Sequence, residues 1–178
     1  ATGAHVVQGQ IRNRWLARGG PTGPLGFPVS DERAESGGVL SSTFQDGIVY
    51  WTAAGGPNVL QGLIAQRWTA LGGLAWGYGV PTSDELVTPD RIGRYSLFTG
   101  NAALYWSPVT GAHAVQGQIR DLWGSMGWET GMLGYPTSDE VNTPDGRGRY
   151  NTFQTGAVIW SPTIGPRAVY GTIYARYI

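Results

Sequence analysis

The residue types that could do chemistry in this 178-residue chain recur at a fixed spacing. Three acidic pairs, Asp31-Glu32, Asp84-Glu85 and Asp139-Glu140, each follow a Gly-x-Pro segment and a Ser. Two carboxylates flanking a bond are the machinery of glycoside hydrolysis. Sequence neighbours on an extended segment point to opposite sides, however, and a catalytic pair is rarely built three times in one small chain. The simpler expectation is that Ser-Asp caps a turn after proline, with Asp accepting backbone N–H groups. The alternative is a recurring polar contact to a ligand or to an Arg of the next copy. Histidine occurs twice, as His5 and His113, at one repeat position where other copies carry Asn58 and Arg167. A position that accepts His, Asn and Arg reads as exposed and polar, which is no basis for a triad or a metal site. The chain has no cysteine, which excludes thiolate catalysis, disulfides and cysteine-based zinc sites. It also has no Gly-x-Ser-x-Gly elbow. No metal or cofactor is expected.

Two further sets suit recognition better than reaction. Arg94-Tyr95 and Arg149-Tyr150 follow Thr-Pro-Asp segments, and the first copy has Leu40-Ser41 in their place. An Arg fork beside a flat ring fits a sugar hydroxyl array or a carboxylate; a surface Arg bridging to Asp-Glu is the structural alternative. Trp51, Trp106 and Trp160 close each copy. They fit either cross-strand packing or a stacking platform for the C–H face of a sugar. The candidate ligand set is therefore Trp51, Trp106, Trp160, Asp84, Glu85, Asp139, Glu140, Arg94, Tyr95, Arg149 and Tyr150. Trp76 and Trp128 do not align between copies and read as exposed.

The elements that position these side chains follow from an internal repeat of about 54 residues. Each copy opens on an apolar-Gln-Gly-x-Ile segment ending in Trp15, Trp68 or Trp123. Apolar residues at i, i+4 and i+8 (Val7, Ile11, Trp15 and their equivalents) predict a short helix, stopped by Gly-Gly at 19–20 and 72–73. Strand-turn-strand patterns at Leu40–Trp51 and Asn151–Trp160 predict β-hairpins, with an extra turn residue near Gly100-Asn101. Ser-Pro at 107–108 and 161–162 ends the strands. A unit of this size cannot bury a full core alone, so copies must share one.

The 29 glycines and 11 prolines fit a turn-rich, β-rich α+β array. The expected organisation is 1–55, 56–110 and 111–165, plus a truncated fourth copy, 166–178, in which Tyr177 takes the Trp place. Because residues 167–178 duplicate the opening segment, an open stack with that segment as a lid is favoured over a closed, β-trefoil-like ring. Twelve basic and twelve acidic residues give zero formal charge. There is thus no basic stripe for nucleic acid and no polybasic membrane patch. No apolar run is long enough to span a bilayer, and the first residues do not read as a signal peptide.

Leu25-Gly26-Phe27-Pro28 followed by Val29-Ser30-Asp31-Glu32, with Tyr78-Gly79-Val80-Pro81 and Leu133-Gly134-Tyr135-Pro136 at the same place, resembles the LGFP-repeat family. Gly and Pro persist while the apolar letters vary, as expected where those two residues set the backbone. The resemblance implies a secreted, wall-associated, non-catalytic module of mycolic-acid-containing actinobacteria, often appended to a mycoloyltransferase or amidase. It implies a monomer that binds the arabinogalactan–peptidoglycan polysaccharide. The residues add the expectation of several equivalent weak sites acting through avidity. The alternatives are a structural stalk or protein-docking spacer for a linked enzyme and, third, a wall glycan hydrolase.

Overall fold

The computed structural model describes residues 3–177, the Tyr177 side chain excepted, so the expectation that this ring replaces Trp lies outside the described residues. The chain runs α1 (Gly9–Ala17), β1 (Arg33–Ala34), β2 (Leu40–Phe44), β3 (Gly47–Thr52), β4 (Gly56–Gln61) and α2 (Gly62–Ala70). It continues with β5 (Leu86–Val87), β6 (Arg94–Phe98), β7 (Ala102–Ser107), β8 (Gly111–Gln116) and α3 (Gly117–Ser125). The last unit is β9 (Val141–Asn142), β10 (Arg149–Phe153), β11 (Gly156–Ser161), β12 (Gly165–Tyr170) and α4 (Gly171–Tyr177). The strands form three four-stranded antiparallel meanders, β1 to β4, β5 to β8 and β9 to β12.

The hairpins form where the sequence places them. Phe44 pairs with Gly47 and Phe153 with Gly156 across two-residue turns. In the middle copy Phe98 pairs with Ala102, and the longer turn ends on Asn101 at φ +52°. The helical reading of the opening segment needs correction. Leu60 and Val115 belong to the long strands β4 and β8, which were not expected, and the helices begin two residues later. The switch is the Gly of Gln-Gly. Gly62 and Gly117 sit at φ +57° and +51°, a left-handed conformation that turns a strand straight into a helix. Leu60 and Ile64 imitate one helical stripe because both are buried in the same core, from two different elements.

Alternation along each strand places successive side chains on opposite faces, and here both faces are covered. Phe98, Leu104 and Trp106 turn toward α2, together with Tyr50 from the first sheet. Tyr95, Leu97, Ala103 and Tyr105, the intervening residues, turn toward α3 and the third sheet. Accordingly α2 touches β3 and β4 on one side and β7 and β8 on the other. In the same way α3 lies between β7–β8 and β11–β12, and α4 rests on β11 and β12. This explains why Ala102 to Trp106 reads as an apolar run rather than an alternation. The two interior helices, α2 and α3, each drive an Ile and a Trp into the space between sheets: Ile64 and Trp68 are 1% and 0% exposed, Ile119 and Trp123 2% and 0%. Trp76 and Trp128, expected in solvent, instead pack edge-on against these buried rings, at 5.6 Å from Trp68 and 5.2 Å from Trp123. Both thereby add an aromatic edge-to-face contact to the buried helix Trp.

Equivalent positions therefore differ in weight. Ile173 on α4 matches Ile64 but is 72% exposed. Ile64→Ala should lower unfolding free energy by about 2–5 kcal/mol, and Ile173→Ala should change it by no more than about 0.5 kcal/mol. Urea unfolding of the two variants checks the contrast.

Candidate functional site

The Ser-Asp-Glu segment divides its three side chains among three tasks. The serine ties the loop to its own hairpin: Ser30, Ser83 and Ser138 hydroxyls accept the N–H of Thr43, Leu97 and Thr152 at 2.9–3.0 Å. The aspartate holds the chain just before the helix, where Asp31, Asp84 and Asp139 each accept a backbone N–H at 2.9 Å, from Val6, Val59 and Ala114. Asp84 also pairs with Arg14 and Asp139 with Arg67, both arginines coming from the preceding copy's helix. The aspartate does accept a backbone N–H, but from the chain 25 residues earlier rather than from the turn after proline, and its arginine comes from the preceding copy rather than the next, so Asp84 and Asp139 belong to the joints. His5 and His113 sit beside these aspartates, at 3.4 and 3.9 Å. In the first three copies this position is not the exposed one expected, although Arg167 in the fourth is exposed. Asn58 is buried and donates to the Pro81 carbonyl, and burial holds His113 below the ordinary histidine value.

The glutamate turns the other way. At the joint between the second and third copies, Glu140 Oε1 lies 2.9 Å from Arg149 Nη1 and accepts Gln116 Nε2 at 2.8 Å. Gln116 also donates to the Tyr78 hydroxyl, which comes from the preceding copy's Gly-x-Pro segment. Arg149 is the register partner of Trp160, so both project from one face of the sheet. Gln116, Gly117, Gln118, Ile119, Glu140, Arg149 and Trp160 line an open cleft of about 330 Å³. Gly148 is required beside it, because a Cβ there would strike the Trp160 carbonyl. Three of the candidate residues, Glu140, Arg149 and Trp160, are thereby brought together.

The other candidates divide by copy. Glu85, Arg94 and Trp106 occupy the equivalent place, with Glu85 3.6 Å from Arg94 and its carboxyl pushed up by burial. Trp51 stands opposite Leu40, without an arginine, and packs on the first core. The Arg-Tyr pairs do not act as units, since consecutive strand residues face apart. Tyr95 stacks on Tyr105 at 5.1 Å inside the core, and Tyr150 pairs with Ile159 on the far face from Arg149. Three contributors do not stand out in the sequence: Gln116, Gln118 and Tyr78. The glutamine before Gly recurs as Gln8, Gln61 and Gln116, a signal that the helical period of the same segment masks.

A second groove runs between the first hairpin turn and α2, past Gln45, Asp46, Gln66 and Thr69. In the middle copy the extra residue Asn101 instead bonds Asp121 and Arg120 of α3. A further tie crosses the second joint. The Tyr135 hydroxyl donates to Asp90 at 2.7 Å and lies 2.9 Å from the Thr88 hydroxyl. Burial, then the Asp90 carboxylate, push this phenol up to about 12. Among the described residues no group of three or more His, Cys, Asp or Glu could hold a metal ion.

The LGFP-repeat family model matches four times, over residues 1–23, 25–75, 79–131 and 133–178, and the chain belongs to this family. No curated protein matches significantly. Among solved structures, the extracellular domain of a protein described as a one-component system from B. thetaiotaomicron is similar at 13% identity and a TM-score of 0.22. The match covers 83% of this chain and 16% of that one, and at this TM-score it carries no argument.

Asp139→Ala should cost about 2–4 kcal/mol, because it leaves a backbone N–H and Arg67 without their partner at a joint. Asp31→Ala, at a carboxylate 64% exposed, should cost clearly less in the same urea titration. The phenol of Tyr135 is neutral when folded and its raised value favours the fold below the ordinary 10. That contribution should disappear as pH rises from about 10 to about 12, and alkaline titrations of Tyr135→Phe should lack this part of the decline.

Proposed function

We propose that the chain is a non-catalytic polysaccharide-binding module of the cell envelope, anchoring to arabinogalactan–peptidoglycan. The observation that carries this reading is the cleft at the second joint. It presents a half-buried Trp160, the exposed guanidinium of Arg149 and the exposed amide of Gln118 on one shallow wall. An apolar ring beside donors and acceptors in fixed positions is the arrangement that sugar C–H and O–H groups require. Hydrolysis has no support in the same geometry. Asp139 is committed to a backbone N–H and Arg67, and Glu140 to Arg149 and Gln116, so the pair does not face a common bond.

We place the units at 1–55, 56–110 and 111–165 with 166–178 as a lid, in an open stack. The support is that α4 sits on β11 and β12 as α2 sits on β3 and β4. Membership of a family found in envelope proteins supports an extracytoplasmic location and a linked enzyme domain. Among the described residues no helix is long and apolar enough to cross a membrane.

Sedimentation with purified, insoluble wall polysaccharide tests the reading. The protein should co-sediment, and Trp160→Ala should reduce the bound fraction severalfold while leaving the unfolding midpoint near that of the parent. Absence of co-sedimentation at every ionic strength would favour the stalk or docking spacer, and release of reducing ends would favour the hydrolase.

A further inference from the structure

We propose that the joints are not equivalent sites, and that the chain carries one open saccharide cleft, between its second and third copies, selective for an uncharged sugar. The inference rests on the polysaccharide reading and deepens it by naming the working site and its ligand class.

The difference originates at one helix end. Arg18, Leu71 and Met126 occupy the same repeat position, three residues after the helix tryptophan. Leu71 packs into the core beside α2, which leaves the following cleft open. Arg18 instead reaches forward into the next copy. Its guanidinium donates to Gln61 Oε1 at 3.0 Å and to Asp84 Oδ2 at 3.1 Å. Gln61 is the counterpart of Gln116, which lines the open cleft. The glutamine that lines the cleft in the third copy, with its Nε2 tied to Glu140 and Tyr78, is therefore covered by a tethered cation in the second. The first copy lacks the arginine altogether, with Leu40 opposite Trp51.

Charge separates the two clefts as well. Around the second copy's cleft Arg14, Arg18 and Arg94 face Asp84 and Glu85, an excess of one positive charge. At the third copy's, Arg67 and Arg149 face Asp139 and Glu140, which balance. The side chain of Glu140 is 9% exposed and lies directly on Arg149, whose own side chain is 51% exposed. An arginine neutralised in this way still donates hydrogen bonds but has no unbalanced charge to offer a carboxylate. An acidic sugar would bring its negative charge next to the buried Glu140, so neutral hydroxyls are the fitting partners.

Calorimetric titration distinguishes this from equal sharing. The probes are a size-fractionated neutral arabinogalactan oligosaccharide and a galacturonate oligomer of similar length, applied to the whole chain. The expected result is one neutral oligosaccharide per chain, with galacturonate about tenfold weaker. Trp160→Ala should weaken binding about tenfold or more, Trp160→Phe should keep part of it, and Trp106→Ala should leave it within about twofold. Arg18→Leu, which copies the residue of the second helix, should add a second site. Two or more oligosaccharides on the unaltered chain, equal losses at Trp106 and Trp160, a preference for galacturonate, or no second site in a folded Arg18→Leu chain would each overturn the inference. If the chain co-sediments with wall polysaccharide but fails these titrations, only the inference falls; if it does not co-sediment at all, the polysaccharide reading falls with it.

Discussion

Each interior helix of this protein has two sheets to cover and belongs to both. A nine-residue helix is far too short to hold itself together in water, and a four-stranded meander leaves an apolar face exposed on either side. Placing Ile64 and Trp68 between the first and second sheets, and Ile119 and Trp123 between the second and third, solves both problems at once. Everything else in the molecule follows from that sharing. The sheets are apolar on both faces, the copies cannot be separated without opening a core, and the Glu140–Arg149–Trp160 cleft lies at a joint.

The sharing also explains why polar residues recur so faithfully. A joint between apolar layers has no angular preference of its own, since packing is not directional. Charge-assisted hydrogen bonds supply the direction: Arg14 to Asp84, Arg67 to Asp139, and each aspartate to the backbone entering the next helix. Once Ser and Asp of the motif are engaged in this way, Glu is left at the rim, next to the Arg and Trp of the hairpin. The cleft at the second joint is thus a by-product of how the copies are locked. Small changes at the rim, such as Arg18 in place of Leu71, can alter it without disturbing the lock.

Much of this was legible from residue order. Repeat spacing, hairpins, the longer turn at Asn101 and the Gly-Gly helix stops all show in the sequence, because they depend on internal recurrence and local backbone preferences, whereas the partners of Asp84 and Asp139 lie 25 residues away or in the preceding copy. The strands β4, β8 and β12 were not legible. Leu60 and Ile64 satisfy a helical period although one is on a strand, and only the left-handed Gly62 between them marks the change. The cleft was half visible: Glu140, Arg149 and Trp160 stood out by type, but their convergence with Gln116 depends on a neighbouring copy and on strand register. Trp76 and Trp128 misled because a variable position suggests solvent, whereas both fold back onto the shared helix.

Native-state hydrogen exchange on Ile64→Val tests the sharing most directly. That change removes one methylene-sized group from the α2 interface and should cost about 1 kcal/mol. Amide protection should fall together in β3 of the first sheet and β7 of the second, with β11 of the third much less affected. A loss confined to one of the two sheets that flank α2 would show that the helix belongs to a single unit, and would contradict the shared core on which the joints and their cleft depend.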